Sequence, residues 1–393
     1  MTTPGTPRLL RSINDRSAMQ LLLEHGALTR AQLSDLTGLS KPTTGQLLTR
    51  LQSAGAVVTD GFRTGQRGPQ AEVYRLEPGI AYGVGLDVTP ARVRVAVADA
   101  TGATLATREF RTTRDATVPT LMVRDAVDET SAAAGLLRKQ LTYAVIGTPG
   151  ALDPITGRLG YARHLRGWHG EDLAASLREA LDVPLSIVND VKLAAVAELA
   201  HRGPHEQDFC LLWNGDGLGL AHVSTGQVLS GARGGAGEVG YMPVPGTSLQ
   251  RKPSRSNRGG YQTRAGAVAA RELMAAAGFP GRTAAIAVER AVTAADDGHR
   301  RADKAVQELA QRLSVGLAAI CCVLDPPVVI LAGDICAAGG ERLRAHIEHE
   351  LAELTINPPP VRMTAITEHA VLKGAVHAAV TDARDIAFAK YLN

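Results

Sequence analysis

The chain has 393 residues, 45% hydrophobic and 21% charged, which fits a globular protein with room for two or three domains and substantial cores. Its start, MTTPGTPRLLRS, lacks the apolar run of a secretory signal, and its most apolar stretch, Leu313 to Cys336, is interrupted by Asp325-Pro326-Pro327, so neither export nor a membrane span is expected. The net charge of +3 sits in Met1 to Ile80, where nine Lys/Arg face six Asp/Glu, and the rest of the chain is balanced; a polyanionic partner is therefore sought in that first segment.

Ile13 to His25 reads as a first helix, with Met19, Leu22 and Leu23 apolar and Gly26 ending it. Two short helix patterns follow in TRAQLSDLTGLSKPTTGQLLTRLQSAG, from Thr29 to Gly55. Thr29 can cap the first, with Ala31, Leu33 and Leu36 as its apolar positions and Gly38 as its stop. Ser40 can cap the second, with Pro42 in the first turn, where a missing N–H costs nothing. Leu47, Leu48, Leu51 and Ala54 share one face of that helix; Thr43, Gln46 and Arg50 share another, polar and cationic. A helix-turn-helix sets such a face in the DNA major groove; the competing reading is an αα-hairpin inside a larger domain. Val57-Val58 and Ala71 to Leu76 then form the arms of a β-hairpin, a wing whose tip carries Arg63, Arg67 and Gly68-Pro69. An arginine on such a narrow backbone fits a minor groove, although a solvated hairpin tip has the same composition. Ser40, Lys41, Thr43, Thr44, Gln46, Arg50, Arg63 and Arg67 are the expected DNA-facing residues, with Lys41 on phosphate and Arg67 in the minor groove.

Pro78-Gly79 marks a boundary, giving a DNA-binding domain over 1–78 and a second unit over 79–393 joined by the short Leu76 to Ile80 connector. The second unit opens with strands at Tyr82 to Leu86, Arg92 to Asp99 and Thr104 to Phe110, a helix from Pro119 to Lys139, and a buried strand at Ala144 to Gly147. That β-β-β-α-β order predicts a mixed sheet in an α/β fold. The theme returns: a strand at Leu185 to Val188, a helix at Val191 to His201, a strand at Phe209 to Trp213, and the glycine hairpin NGDGLGLAHV. After GARGGAGEVGYM and a basic loop come helices near Ala265 to Ala277, Thr283 to Ala294 and Ala302 to Val323. A strand at Val328 to Ala332, a helix at Arg342 to Leu354, a strand at Val361 to Ile366 and a helix from Ala370 complete the chain. Cys210, Cys321, Cys322 and Cys336 have neither zinc-finger nor disulfide-framework spacing, and their apolar neighbours suggest buried, reduced thiols in a cytoplasmic protein.

GTPGALDPITGRL, LRGWHGEDLAASLREALDVPLSIVNDVKLAA, the glycine hairpin and GARGGAGEVGYM, in this order, resemble the ROK family of repressors, open reading frames and kinases. The resemblance implies a two-lobed actin-like ATPase/sugar kinase fold over 79–393, with lobe I at about 79–187 plus the C-terminal helix and lobe II at about 188–370. Relatives with a winged helix-turn-helix are sugar-responsive transcription factors. The family's kinases also hold ATP phosphates on three glycine loops, and all three are altered here. The first is Asp87-Val88-Thr89-Pro90-Ala91-Arg92, without glycine; the others carry acids, Asp216 in Gly215 to Gly219 and Asp334 beside Gly333. The resemblance places Asn189-Asp190 as the sugar-binding pair, the aspartate being the kinases' general base; Asn189 or Asp190 as a simple helix cap is the competing reading. It likewise assigns Glu238 to a ligand contact, puts Tyr241 where a zinc-binding histidine would be, and sets Pro253, Arg255 and Gly260 where zinc cysteines would stand, so no zinc is expected. Gln262 replaces a sugar-contacting glutamate, and His164 before Trp168 falls near the expected cleft mouth.

The expectation is a sugar-responsive DNA-binding regulator, most simply a repressor released by a sugar bound near Gly150, Asn189, Asp190, Glu238, Tyr241 and Gln262. It would have no catalytic residues, cofactor or membrane partner, and would act on operator DNA as a homodimer or homotetramer. The alternatives are a glucokinase-like, ATP-dependent sugar kinase with a regulatory DNA-binding head, and a regulator that answers a protein partner instead of a sugar.

Overall fold

Capping decides where the first helices lie. In a computed structural model, which describes residues 7–63, 70–112, 119–160, 165, 167–168, 172–203, 205–251 and 259–391, Thr29 and Gln32 cap each other at the start of α2 (Arg30–Thr37). Gly38 ends α2 in the left-handed region at φ 69°, and Ser40 caps α3 (Lys41–Ser53), whose first turn accepts Pro42. Ahead of them, α1 (Pro7–His25) starts six residues earlier than its apolar pattern suggests. Strands β1 (Leu28–Thr29), β2 (Val57–Arg63) and β3 (Ala71–Leu76) form a sheet in the order β1-β3-β2, which is the wing. Only Leu33 of the expected apolar trio on α2 is buried; Ala31 and Leu36 face solvent, and Ser34 takes an inner position with its hydroxyl on the Leu39 carbonyl.

Two five-stranded sheets follow. Lobe I contains β4 (Tyr82–Val88), β5 (Arg92–Asp99), β6 (Thr104–Arg111), α4 (Pro119–Ala133), β7 (Tyr143–Thr148), the small hairpin β8 (Ala151–Leu152) and β9 (Leu159–Gly160), α5 (Leu173–Leu181) and β10 (Leu185–Asn189). Its sheet order is β10-β7-β4-β5-β6, antiparallel through β4-β5-β6 and parallel through β4-β7-β10. Helix α6 (Asp190–His201) crosses to lobe II, where β11 (Phe209–Asn214), β12 (Leu218–Ser224) and β13 (Gln227–Val228) precede α7 (Gly260–Ala265), α8 (Ala267–Ala276), α9 (Ala284–Asp296) and α10 (Arg300–Leu324). Strand β14 (Val329–Ala332), α11 (Asp334–Leu354), β15 (Val361–Met363) and α12 (Ala370–Tyr391) finish the chain. The second sheet, β13-β12-β11-β14-β15, repeats the first in strand order and direction. The mixed sheet expected from the strand order is therefore present twice.

Alternation in β4, β5 and β7 sends Val84, Leu86, Val95 and Ile146 onto Val123 and Val127 of α4 and Leu177 of α5. Trp168 lies in this core, 2% exposed, and not at a cleft mouth. On the opposite face α12 approaches so closely that a Cβ on Gly83 or Gly85 would strike its backbone at Val380 or Val376. Lobe II is filled by Leu309, Leu313 and Leu317 of α10. That helix, alone among the described residues, is long and apolar enough to cross a membrane, but its apolar stripe is this core. Its sheet is covered on the other side by Val191 and Ala195 of α6. Three cysteines are buried as expected; Cys322, on the outward side of α10, is exposed.

The head is not held by a connector alone. Its core, formed by Ala18, Met19, Leu22, Leu47, Leu48 and Leu51, continues into Ala383, Ala387 and Phe388 of α12. Arg16 of α1 pairs with Asp385, and Ala100 of lobe I receives Arg384 Nε on its carbonyl at 2.5 Å. Sequence periodicity locates each of these helices but carries no record of which distant helix closes the core.

A polar helix face and a cleft between the lobes

On the head, the second helix of the motif turns its inner side to the core through Thr44, Leu47, Leu48 and Leu51. Thr44 is 0% exposed, and its hydroxyl donates to the Ser40 carbonyl at 3.1 Å, so its expected place among base-facing residues is corrected: it is a core residue whose polar atom is satisfied by its own helix. Arg50 is likewise engaged. Its guanidinium holds Asp15 of α1 at 2.6 Å and 3.4 Å, fixing α3 against α1 instead of pointing outward alone. The exposed side carries Ser40, Lys41, Pro42, Thr43, Gln46 and Thr49. Ser40 and Thr43 hydroxyls lie 2.8 Å apart at the helix start. Arg30, which the sequence reading passed over, lies across Gly45, with 3.6 Å between its Nη1 and the place a Cβ would take. Arg63, at the end of β2, reaches back to Gln32 at 3.5 Å; Arg67, expected at the wing tip, lies outside the described residues.

Between the lobes lies a cleft of about 810 Å³, a size suited to a small molecule. Its lining includes Gly150, Asn189, Asp190, Glu238, Tyr241 and Gln262, so the structure gathers all six expected sugar-site residues around one cavity. Asn189 takes the capping role weighed for it and also ties the adjoining loop. Its Oδ1 caps α6 by accepting from Lys192 N at 3.2 Å, and its Nδ2 donates to the Gly150 carbonyl at 3.0 Å. Asp190 accepts from Val191 N at 2.8 Å; desolvation pushes its carboxyl up to about 7, with Glu238 and Asp87 adding repulsion. Desolvation also raises Glu238, opposed by the positive charge of Lys192. Gln262 lines the cavity, but its Oε1 accepts from Leu218 N at 2.7 Å and its Nε2 reaches the Asp216 carbonyl at 3.4 Å. It braces the glycine hairpin, a different task from the direct ligand contact expected of it. His164, Pro253 and Arg255 lie outside the described residues.

In the loop that the sequence reading matched to a phosphate loop, the polar groups are turned inward. Thr89 N and Oγ1 both donate to the Arg92 carbonyl, at 2.9 Å and 3.0 Å, closing the turn between β4 and β5. Pro90 has no N–H to offer. Asp216 and Asp334 are exposed on the other wall. Gly333, at φ 90°, is required there because a Cβ would run into the Asn214 backbone. Arg94 is drawn to Glu109 at 2.6 Å and to Asp87 at 3.7 Å. Two further residues missed by sequence reasoning shape the walls from α6. Glu198, 1% exposed, accepts from Thr364 Oγ1 at 2.7 Å and Ala365 N at 3.1 Å, and Lys192 Nζ donates to the Ser230 and Gly234 carbonyls. A charged residue on the apolar pattern of α6 was the available signal, since burial of such a group demands partners.

The cleft and head find counterparts in known proteins. Residues 11–58 match the family model for a winged helix-turn-helix DNA-binding domain. A xylose repressor of Caldicellulosiruptor bescii is 21% identical over 394 residues, covering 96% of this chain and 98% of that protein. An uncharacterized protein of Sinorhizobium fredii, y4fQ, is 25% identical over 59% of this chain and 60% of its own length. A crystal structure of a ROK family transcriptional regulator, described as a homologue of the E. coli MLC protein, superposes with a TM-score of 0.74 at 20% identity, covering 98% of this chain and 99% of that one, which shows the shared fold. Residues 83–381 match the ROK family model, and the chain belongs to the ROK family.

Proposed function

We propose that this protein is a cytoplasmic, non-catalytic, sugar-responsive DNA-binding transcriptional regulator: a repressor whose paired heads leave operator DNA when a sugar binds between the lobes. The observation that carries the reading is the course of α12. It begins at the cleft, where Ala370 and Val371 line the cavity, and ends inside the core of the head at Ala387 and Phe388. One rigid element thus touches both the ligand site and the DNA-binding unit. A ligand that draws the lobes together would move α12 against α6 and, with it, the head. Rotation of one head relative to its partner in a homodimer or homotetramer would spoil the spacing that two half-sites require.

Asn189, Asp190, Glu238 and Tyr241 supply acceptors, an amide and a phenol of the kind that bind sugar hydroxyls and pyranose faces. Asp190 would be the base in a kinase of this family. The inward-facing Thr89 turn, and acids at Asp216 and Asp334, argue against an ATP phosphate opposite it. Lys41, Thr43, Gln46 and Thr49 are proposed for the major groove, Arg30, Arg63 and Arg67 for backbone or minor-groove contacts.

The test selects binding sites from a random duplex library, then titrates the selected DNA with D-xylose, D-glucose and N-acetylglucosamine present in turn. Release by one sugar, and its loss in Asp190→Ala, is the expected result. Sugar phosphorylation by the wild type with ATP and magnesium, absent in Asp190→Asn, would establish the kinase reading instead.

A further inference from the structure

Lys192 stands out as a charged side chain that is 5% exposed, on the first turn of the helix that begins with Asp190. Its ammonium donates to two backbone carbonyls, Ser230 at 3.2 Å and Gly234 at 2.6 Å. Both carbonyls belong to the glycine loop that leads directly to Glu238. That loop needs anchoring. Gly231, Gly234 and Gly237 adopt φ of 73°, 75° and 93°, and glycine loses more backbone freedom on ordering than any other residue. Its other backbone ties are all between neutral groups: Ala236 N to Ser230 O, Gly234 N to Gly231 O, Glu238 N to Gly235 O at 3.3 Å, Val239 N to Gly237 O at 2.7 Å, and Leu220 N to Gly237 O at 2.9 Å. Arg233 adds an exposed pair with Asp153 at 3.2 Å. A buried ammonium holding two carbonyls is the strongest kind of clamp in this set, because hydrogen bonds from a charged donor exceed neutral ones.

We propose that Lys192 is a positioning residue for the ligand site, pinning the glycine loop to α6 so that Glu238 faces Asp190 across the cleft. This rests on the reading of the cleft as a sugar site. The first turn of α6 would then organise three groups together: Asn189 holds Gly150, Asp190 faces the ligand, and Lys192 fixes the opposite wall. Lys192 also acts on Glu238 through space. Burial drives the Glu238 carboxyl toward its protonated form, and the ammonium opposes that change; Asp190 faces the same space from α6, with Asp87 beyond it on β4. The lysine therefore influences both where Glu238 stands and whether it is an anion that can accept from sugar hydroxyls.

The experiment uses the full chain with Lys192→Met, which keeps the length and apolar stem while removing the donors, and Lys192→Arg, which keeps the charge. Without ligand, hydrogen–deuterium exchange over 230–240 should quicken at least tenfold in Lys192→Met while strand 209–214 stays protected. Calorimetric titration with D-xylose, D-glucose and N-acetylglucosamine follows at pH 8 and pH 5.5. The sugar that binds the wild type should bind Lys192→Met at least tenfold more weakly at pH 8, with a greater loss at pH 5.5, and Lys192→Arg should recover part of it. A passive brace would lose the same factor at both pH values. Unchanged loop exchange, unchanged affinity, or equal losses at both pH values would overturn the proposal. If no sugar binds the wild type, the sugar reading of the cleft fails, and the exchange measurement alone decides whether Lys192 holds the loop.

Discussion

At one end of the cleft, polar groups remain available; at the other, they are turned into the protein or carry negative charge. Asp190 has an oxygen on Val191 N and lines the cavity, and Glu238 makes no side-chain hydrogen bond among the described residues. At the other end, Thr89 has both its amide and its hydroxyl on the Arg92 carbonyl, while Asp216 and Asp334 bring negative charge to the cavity. Both ends hold a desolvated carboxyl, Asp190 at the first and Asp87 at the second, but Asp87 is opposed by the charges of Arg94 and Arg92, while Asp190 meets further negative charge from Glu238. A binding site keeps unsatisfied or desolvated groups where a ligand is to complete them; a lost site has them absorbed by local turns.

The largest effect should come from truncating the retained side. Asp190→Ala or Glu238→Ala should weaken sugar binding ~100-fold or more, since each removes an acceptor and leaves sugar hydroxyls unpaired in a desolvated cleft. Affinity within twofold of wild type by calorimetry would place the ligand elsewhere.

Comparable in size is the pH dependence of stability. The Asp190 carboxyl is raised from 3.8 to about 7, chiefly by desolvation, so the native state favours the protonated form. Its contribution is full below pH 4 and is lost as pH rises through 7, amounting to at most roughly 4 kcal/mol. Asp190→Asn should therefore gain on the wild type in chemical denaturation between pH 5 and pH 8. Parallel stability curves would show that Asp190 is not desolvated in solution.

The same contrast between engaged and available groups runs through the head. Thr44 bonds its own helix and Arg50 is held by Asp15, while Gln46 and Lys41 face outward. Gln46→Ala should cost ~1–3 kcal/mol on preferred DNA and relax the preference at one base pair; Lys41→Ala should weaken all sequences alike and lower the salt dependence. Thr44→Val should leave base preference unchanged, and a changed preference would return Thr44 to the DNA face. Smallest of all, Asp216→Gly should alter sugar affinity less than twofold, because the proposed regulator makes no use of a phosphate site.

Much of this was legible in the sequence. Caps and glycines placed α2 and α3, alternation placed β4 and β5, and the resemblance to the ROK family, carried by the motifs around Asn189-Asp190 and Glu238, implied the cleft. What failed to show was the direction of single polar side chains. Thr44 and Arg50 look outward in a polar pattern, yet a threonine can bond its own helix and an arginine can be claimed by a carboxylate 35 residues away. Lys192 was hidden for the same reason: its partners are backbone carbonyls 38 and 42 residues distant, which no composition records. The junction of α12 with the head depends on contacts across nearly the whole chain.

The central claim is that the cleft and the DNA face are two ends of one equilibrium joined through α12. Thermodynamic linkage makes this measurable from either end: if a sugar weakens DNA binding by a given factor, DNA must weaken sugar binding by the same factor. Sugar affinity should therefore be measured by calorimetry on the free protein and on the protein saturated with selected operator DNA. A loss of roughly 5- to 150-fold on DNA, equal to the loss of operator affinity in saturating sugar, is predicted. Identical sugar affinity with and without DNA would contradict the account, however tightly each ligand binds alone.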